Sequence, residues 1–376
     1  ELLSMRRRHA ALFAQKAEVV GMLIYGSQST MWLRRIDEEH DNYRAALAFG
    51  LEDEKSLEMS VQICLYLPWF WYRYGHFHEG RDWTERVLAA AEEVGGLPRA
   101  MTLLGAALMS MWEGDLDIAA QRGHESAETF DVIGMGLGQS QAQMGYGVVL
   151  LNQGKDRQAY PHFLTAAELF DEIGLEWFKA TTLVHMANAA LGLGEIDKAL
   201  ASLDQAQVIV NKIKDPWQLG FCSNNYGEVA RVQGDFAAAE TYYRKTEEYY
   251  READAASDQA RLLYALAVIA QHKEQYEKAS VLFHESFSAF RELGNKRGMA
   301  ECLAGIAGLA VQQGAADWAL PLYSAAEALM ASFGAAWWPA DRVEHERTVQ
   351  LLQSKLTSNE FADLWAAGQA MQLDQA

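Results

Sequence analysis

MWEGDLDIAA (111–120), LNQGKDRQAY (151–160), LGLGEIDKAL (191–200), RVQGDFAAAE (231–240), QHKEQYEKAS (271–280) and VQQGAADWAL (311–320) superimpose without a gap. Their fourth residues, Gly114, Gly154, Gly194, Gly234, Glu274 and Gly314, stand 40 residues apart, and Gly75 stands 39 before the first, making seven copies. Five residues after each anchor comes a small side chain: Gly80, Ala119, Ala159, Ala199, Ala239, Ala279, Ala319. Seven before it stands another, Ala107, Gly147, Ala187, Gly227, Ala267 and Ala307, with Pro68 as the exception in the first copy. Two antiparallel helices joined by a short turn approach to about 8–10 Å only where the crossing point carries little side chain. Each copy therefore reads as a helical hairpin.

A second punctuation recurs in FDVIG, FDEIG and FRELG, which place Gly134, Gly174 and Gly294, and then Gly334, where the outer helix must stop. Glycine suits the left-handed residue of a helix C-cap. Lys214 and Asp254 replace it in two copies, and Asp215-Pro216 starts the next helix, since proline is tolerated in a first turn. In the outer helix after Gly234, Phe236, Ala239, Tyr243, Thr246 and Tyr250 step by three and four, the spacing of one buried face.

These copies resemble tetratricopeptide repeats in a long, roughly 40-residue form. The resemblance covers residues 54–334 and implies an all-α, right-handed α-α superhelix of about seven helical hairpins, first helices lining the concave surface. Residues 1–53 read as two N-terminal capping helices and 335–376 as C-terminal capping helices. Pro68 should kink the first inner helix or cost it about 3 kcal/mol.

Half of the 376 residues are apolar, 22% are charged and six are proline, which suits a largely helical chain. The formal charge of −19 repels phosphates, so direct nucleic-acid binding is not expected; Arg6, Arg7 and Arg8 read as one solvated turn. No stretch approaches the roughly 20 apolar residues of a membrane span, and the N-terminus has no signal-peptide pattern, so a cytoplasmic location is expected. Cys64, Cys222 and Cys302 read as reduced core residues.

No catalytic residue and no cofactor is expected. GKD at 154 and GNKRG at 294 fail as P-loops, Gly134, Gly136 and Gly138 lack a βαβ context, and HExxH, GxSxG and paired CxxC are absent. No metal site is expected either. Asp37, Glu38, Glu39, His40 and Asp41 are consecutive, but Trp32, Leu33, Ile36, His40, Tyr43 and Leu47 form the packed stripe and that helix supplies no second histidine. His76, His78 and Glu79 read as a surface turn.

Function is therefore expected in the groove. Residues 10, 9, 6 and 3 before each anchor map its wall. The first three copies are apolar and aromatic, with Trp69 and Tyr72 prominent, followed by Leu104, Leu108, Met111, Met144, Val148 and Leu151. Copies four to six turn polar, with His185, Asn188, Asn224, Asn225, Glu228, Arg231, Tyr264 and Gln271 as candidate ligand- or partner-binding residues. Asparagine donors and acceptors beside apolar walls can fix a ligand, and an arginine fork can hold a carboxylate or phosphate, although Glu228 and Arg231 can equally pair with each other.

WLRRIDEEHDNYRAALAF (32–49), WFWYRYGHFHEGRDWTERVL (69–88) and LPLYSAAEALMASFGAAWWPADRVEHERTVQLLQSKLTSNEFADLWAAGQAM (320–371) further resemble the helical segment of bacterial STAND-type ATPase regulators, including LuxR-type transcription factors. That resemblance implies a sensor arm which binds an effector or partner in its groove and contacts an ATPase module upstream; opening on Glu1 fits a fragment of such a chain. The other reading is a scaffold that clasps a protein or peptide, with no small-molecule effector.

Overall fold

The computed structural model describes residues 1–91 and 95–371; among them are twenty α-helices and no strand. The seven hairpins are present. The first inner helix is split into α4 (Leu57–Tyr66) and α5 (Pro68–Tyr74), because Pro68 cannot continue the helix and instead opens a new one as its first residue; α6 (Phe77–Ala91) is its outer partner. Six regular pairs follow: α7 (Gly96–Glu113) with α8 (Leu116–Ile133), α9 (Gly136–Asn152) with α10 (Asp156–Glu172), α11 (Glu176–Gly192) with α12 (Ile196–Ile213), α13 (Pro216–Val232) with α14 (Phe236–Glu252), α15 (Ala256–His272) with α16 (Tyr276–Glu292), and α17 (Lys296–Gln312) with α18 (Ala316–Ser332).

The anchor residues do what their register implies. Gly75, Gly114, Gly154, Gly194, Gly234 and Gly314 all have φ between 71° and 96°. The next N–H then returns to the inner helix, as in Lys155 N to Leu150 O at 2.9 Å and Asp235 N to Ala230 O at 2.9 Å, so the same C-terminal cap closes hairpin after hairpin. Among the described residues the only non-glycines with positive φ are Lys214, Asp254 and Glu274, the three positions at which the repeat lacks its glycine. The small residues mark helix crossings: Ala119, Ala159, Ala199, Ala239, Ala279 and Ala319 are fully buried. Gly147 and Gly227 lie under Phe163 and Tyr243, where an added Cβ would come within 2.8 and 2.5 Å of the rings. On α14, Ala239, Tyr243, Thr246 and Tyr250 form the buried stripe.

At the N-terminus the structure differs from the expected two helices. There are three, α1 (Leu2–Leu23), α2 (Ser29–Glu38) and α3 (His40–Glu52), because the second breaks at Glu39, whose φ and ψ of −106° and 12° are not helical. Arg6 and Arg7 pair with Glu52 and Asp53 across α1 and α3. The superhelix also closes on itself. Arg34 donates to Asp254 at 2.5 Å, Arg73 to the Ala253 carbonyl, and Gly114 and Gly154 abut Phe333 and Ala336.

The C-terminal segment holds two further helices, α19 (Pro339–Lys355) and α20 (Ser358–Gln369). α20 packs on α18, with Ser324 Oγ donating to the Trp365 carbonyl at 2.7 Å. α19 does not sit at the end of the array as a cap. It turns inward and lies against α11, α13 and α17, inside the concave surface.

Candidate functional site: the groove lined by the inner helices

The inner helices and α19 line a partly open cavity of about 350 Å³. Seven of the ten residues singled out from sequence line it: Trp69, Tyr72, His185, Asn188, Asn224, Asn225 and Glu228. Three do not. Tyr264 is buried beneath Arg261, whose guanidinium lies 4.7 Å from its ring, and Gln271 lies outside the cavity lining. Arg231 is fully buried and already engaged: its Nη2 pairs with Glu228 and donates to Asp341 Oδ1 of α19 at 2.7 Å. The ligand carboxylate that the arginine fork suggests is in fact supplied by this chain, 110 residues further on.

One end of the cavity is aromatic. Trp69 meets Trp217 edge-on at 4.6 Å and Trp177 at 5.7 Å, while Tyr25, in the loop after α1, lies 4.6 Å from Trp177 and 4.7 Å from Phe178. The indole N–H groups are satisfied by a buried and a partly buried acid: Trp177 donates to Asp215 and Trp217 to Asp258, each at 3.0 Å. Asp215 also caps α13 through the backbone N–H of Trp217 and Gln218. Burial pushes both carboxyls up, against these donors and the charge of Arg73. Burial holds His185 down at about 4, so its ring, stacked on Phe163, is neutral at pH 7.

The other end is an ion-pair cluster. Arg261 donates to Asp341 Oδ2 at 2.6 Å and stands 3.6 Å from Glu301, which also accepts from Arg297 at 3.0 Å. Arg297 reaches the Ala336 carbonyl at 2.6 Å and covers the Trp338 ring at 4.0 Å. Trp338, Pro339 and Ala340 form part of the cavity wall. Between the two ends, Asn225 spends its amide on the Phe221 carbonyl at 2.8 Å, whereas the half-buried Asn188 and Asn224 carboxamides make no side-chain hydrogen bond among the described residues.

Sequence reasoning missed Trp177, Phe178, Trp217, Phe221, Asp258 and Arg261, which line the cavity from 17, 16 and 13 residues before their anchors. The signal was available, because these positions continue the stripe at 10, 6 and 3 by further steps of three and four.

Residues 178–252 match the tetratricopeptide repeat family, and no curated protein sequence is significantly similar to the chain. The fold resembles that of a Rap protein complexed with Competence and Sporulation Factor, at 13% identity over 97% of this chain and 96% of that one, with a TM-score of 0.65. The Rap conjugation gene regulator of plasmid pLS20, solved with the Phr* peptide, superimposes with a TM-score of 0.54 at 12% identity, over 94% and 99% of the two chains. A STAND protein with a tetratricopeptide repeat sensor, from Pyrococcus horikoshii, does so at 0.51 and 14% identity, this chain covering 55% of its length. The chain is thus a tetratricopeptide-like helical repeat superhelix, an architecture that generally serves binding rather than catalysis. None of its described helices is long and apolar enough to cross a membrane.

Proposed function

We propose that the chain is the sensing arm of a signalling protein and captures a short peptide in its partly open groove. The observation that carries this reading is the cavity itself: an aromatic and apolar wall with two unengaged carboxamides, Asn188 and Asn224, from successive inner helices. A carboxamide offers one acceptor and two donors, the complement of a peptide unit. The peptide seen with the pLS20 Rap regulator supports the same mode of use for a superhelix of this shape. In a STAND-type or transcriptional regulator, occupancy would be transmitted to an output module only if the peptide favours one state of the superhelix over another. The cavity volume favours a second reading, a small apolar effector, since about 300–1,000 Å³ is the range of small-molecule sites.

Selection of a random heptapeptide library on the purified chain, followed by anisotropy titration of the enriched peptides, tests the first reading. Asn188→Ala and Asn224→Ala should each weaken binding about 2- to 10-fold, the worth of one hydrogen bond, with unchanged thermal stability. Enrichment of no peptide, together with a small molecule released on denaturation in native mass spectrometry, would transfer the groove to the second reading.

A further inference from the structure

Two stretches that look unrelated in sequence meet outside the groove. Asp37 lies in the last turn of α2, His40 opens α3 after the break at Glu39, and His76 follows the left-handed Gly75 at the turn between α5 and α6. One ligand atom from each of the three lies within 4.8 Å of the others. The second histidine that the N-terminal helix lacks is supplied by the first repeat. We propose that Asp37, His40 and His76 form a site for a divalent transition-metal ion of the zinc class, which ties the N-terminal helices to the first repeat.

The donor set of two imidazoles and one carboxylate suits Zn²⁺ far better than Mg²⁺ or Ca²⁺, which prefer all-oxygen shells. Bonds of about 2.0–2.1 Å place tetrahedral ligand atoms roughly 3.3 Å apart, so the three donors close in modestly on binding. Asp37 is exposed and free to make that movement. The histidines are held. His40 is buried edge-on against Phe70 at 4.9 Å, and the N–H of His76 is bonded to the Trp71 carbonyl at 2.8 Å, which fixes its backbone.

Glu79 completes the arrangement. Its Oε1 lies 3.3 Å from His40 Nε2, and Arg44 grips both of its oxygens at 2.7 and 2.6 Å. From there it can orient the imidazole as carboxylates do behind metal-bound histidines, or supply a fourth oxygen. The three donors come from two separate segments, so an ion would cross-link them and stabilise the folded chain by linkage.

Chelator-treated full chain would be titrated with Zn²⁺ against a chromophoric chelator, with Co²⁺ absorption reporting coordination and thermal melting reporting linkage. The expected result is one ion per chain, a tetrahedral Co²⁺ spectrum and a higher melting temperature with Zn²⁺. His76→Ala, a half-buried position, should weaken binding by more than about 100-fold, beyond the loss expected when a residue that only orients a metal ligand is removed, while helical circular dichroism stays unchanged. His78→Ala, two residues away on an exposed side chain, should bind as the parent does. Absence of binding at micromolar Zn²⁺, or equal affinity in the parent and His76→Ala, overturns the proposal.

Discussion

Replacing Asp341 with alanine tests whether charge holds α19 in the groove. The carboxylate is completely buried and accepts from Arg231 at 2.7 Å and Arg261 at 2.6 Å. With Arg297, Glu228 and Glu301 it belongs to a cluster of three arginines and three acids, so its loss leaves one buried positive charge without a counterpart. Removing one member of a buried ion pair costs about 3–5 kcal/mol. The lower figure applies, because Arg231 keeps Glu228 and Arg261 keeps Glu301 at 3.6 Å. Detachment of α19 relieves that strain by admitting water to both guanidiniums, and α20 need not follow, since it is anchored separately on α18. A penalty of about 3 kcal/mol corresponds to roughly 100-fold in the opening equilibrium. Hydrogen exchange should therefore show that order of lost protection in residues 339–355, with the outer helices α10 and α12 little changed. Burial raises the pKa of Asp341, but Arg261 and Arg231 outweigh it and leave it below the ordinary 3.8. The tie is thus fully present above pH 3.8 and lost as pH falls through the depressed value. Unchanged protection of α19 in Asp341→Ala would show that packing alone seats the helix, and would refute the electrostatic account.

Glu274→Gly should raise stability by up to about 1 kcal/mol in urea unfolding, because Glu274 holds φ of 58° at an exposed turn and its relief outweighs glycine's entropy. A lower midpoint would contradict the strain argument. Gly227→Ala should cost about 1–3 kcal/mol, since the new Cβ would press within 2.5 Å of the Tyr243 ring at the α13–α14 crossing. Stability should fall as pH drops from 6.5 towards 4: His185 and His345, both lowered to about 4 by burial, stay neutral while the unfolded chain takes up their protons. Glutamine at either position should flatten that slope by about one proton, measured as unfolding free energy against pH.

The hairpins were legible because their information is local. A residue forced to positive φ is nearly always glycine, and the need recurs at a fixed spacing, so Gly154 and Gly234 report their own conformations without reference to the rest of the chain. Even the departures obeyed this logic, since Lys214, Asp254 and Glu274 keep the left-handed backbone because the hairpins on both sides over-determine it. The break at Pro68 was local too. The break at Glu39 was not announced by proline or glycine, and a continuous hydrophobic stripe across it conceals the change of direction.

The groove was legible only as far as its wall. Trp69, Asn188 and Asn224 follow from which face of an inner helix points inward, a matter of counting along one element. What fills the groove depends on how rotations between seven successive hairpins accumulate, and on where a segment 110 residues beyond Arg231 is delivered by that sum. An arginine on an inner face reads the same whether its counter-ion arrives with a ligand or with α19. The meeting of His40 with His76 has the same character: each is an ordinary polar residue in its own stretch, and only the packing of α3 against the first repeat gives the pair a shared chemistry. Where such partners converge from distant segments, the sequence supplies the chemical types and the superhelical geometry supplies the site, so binding residues in a closed solenoid should be sought first among charges whose complement lies a superhelical turn away.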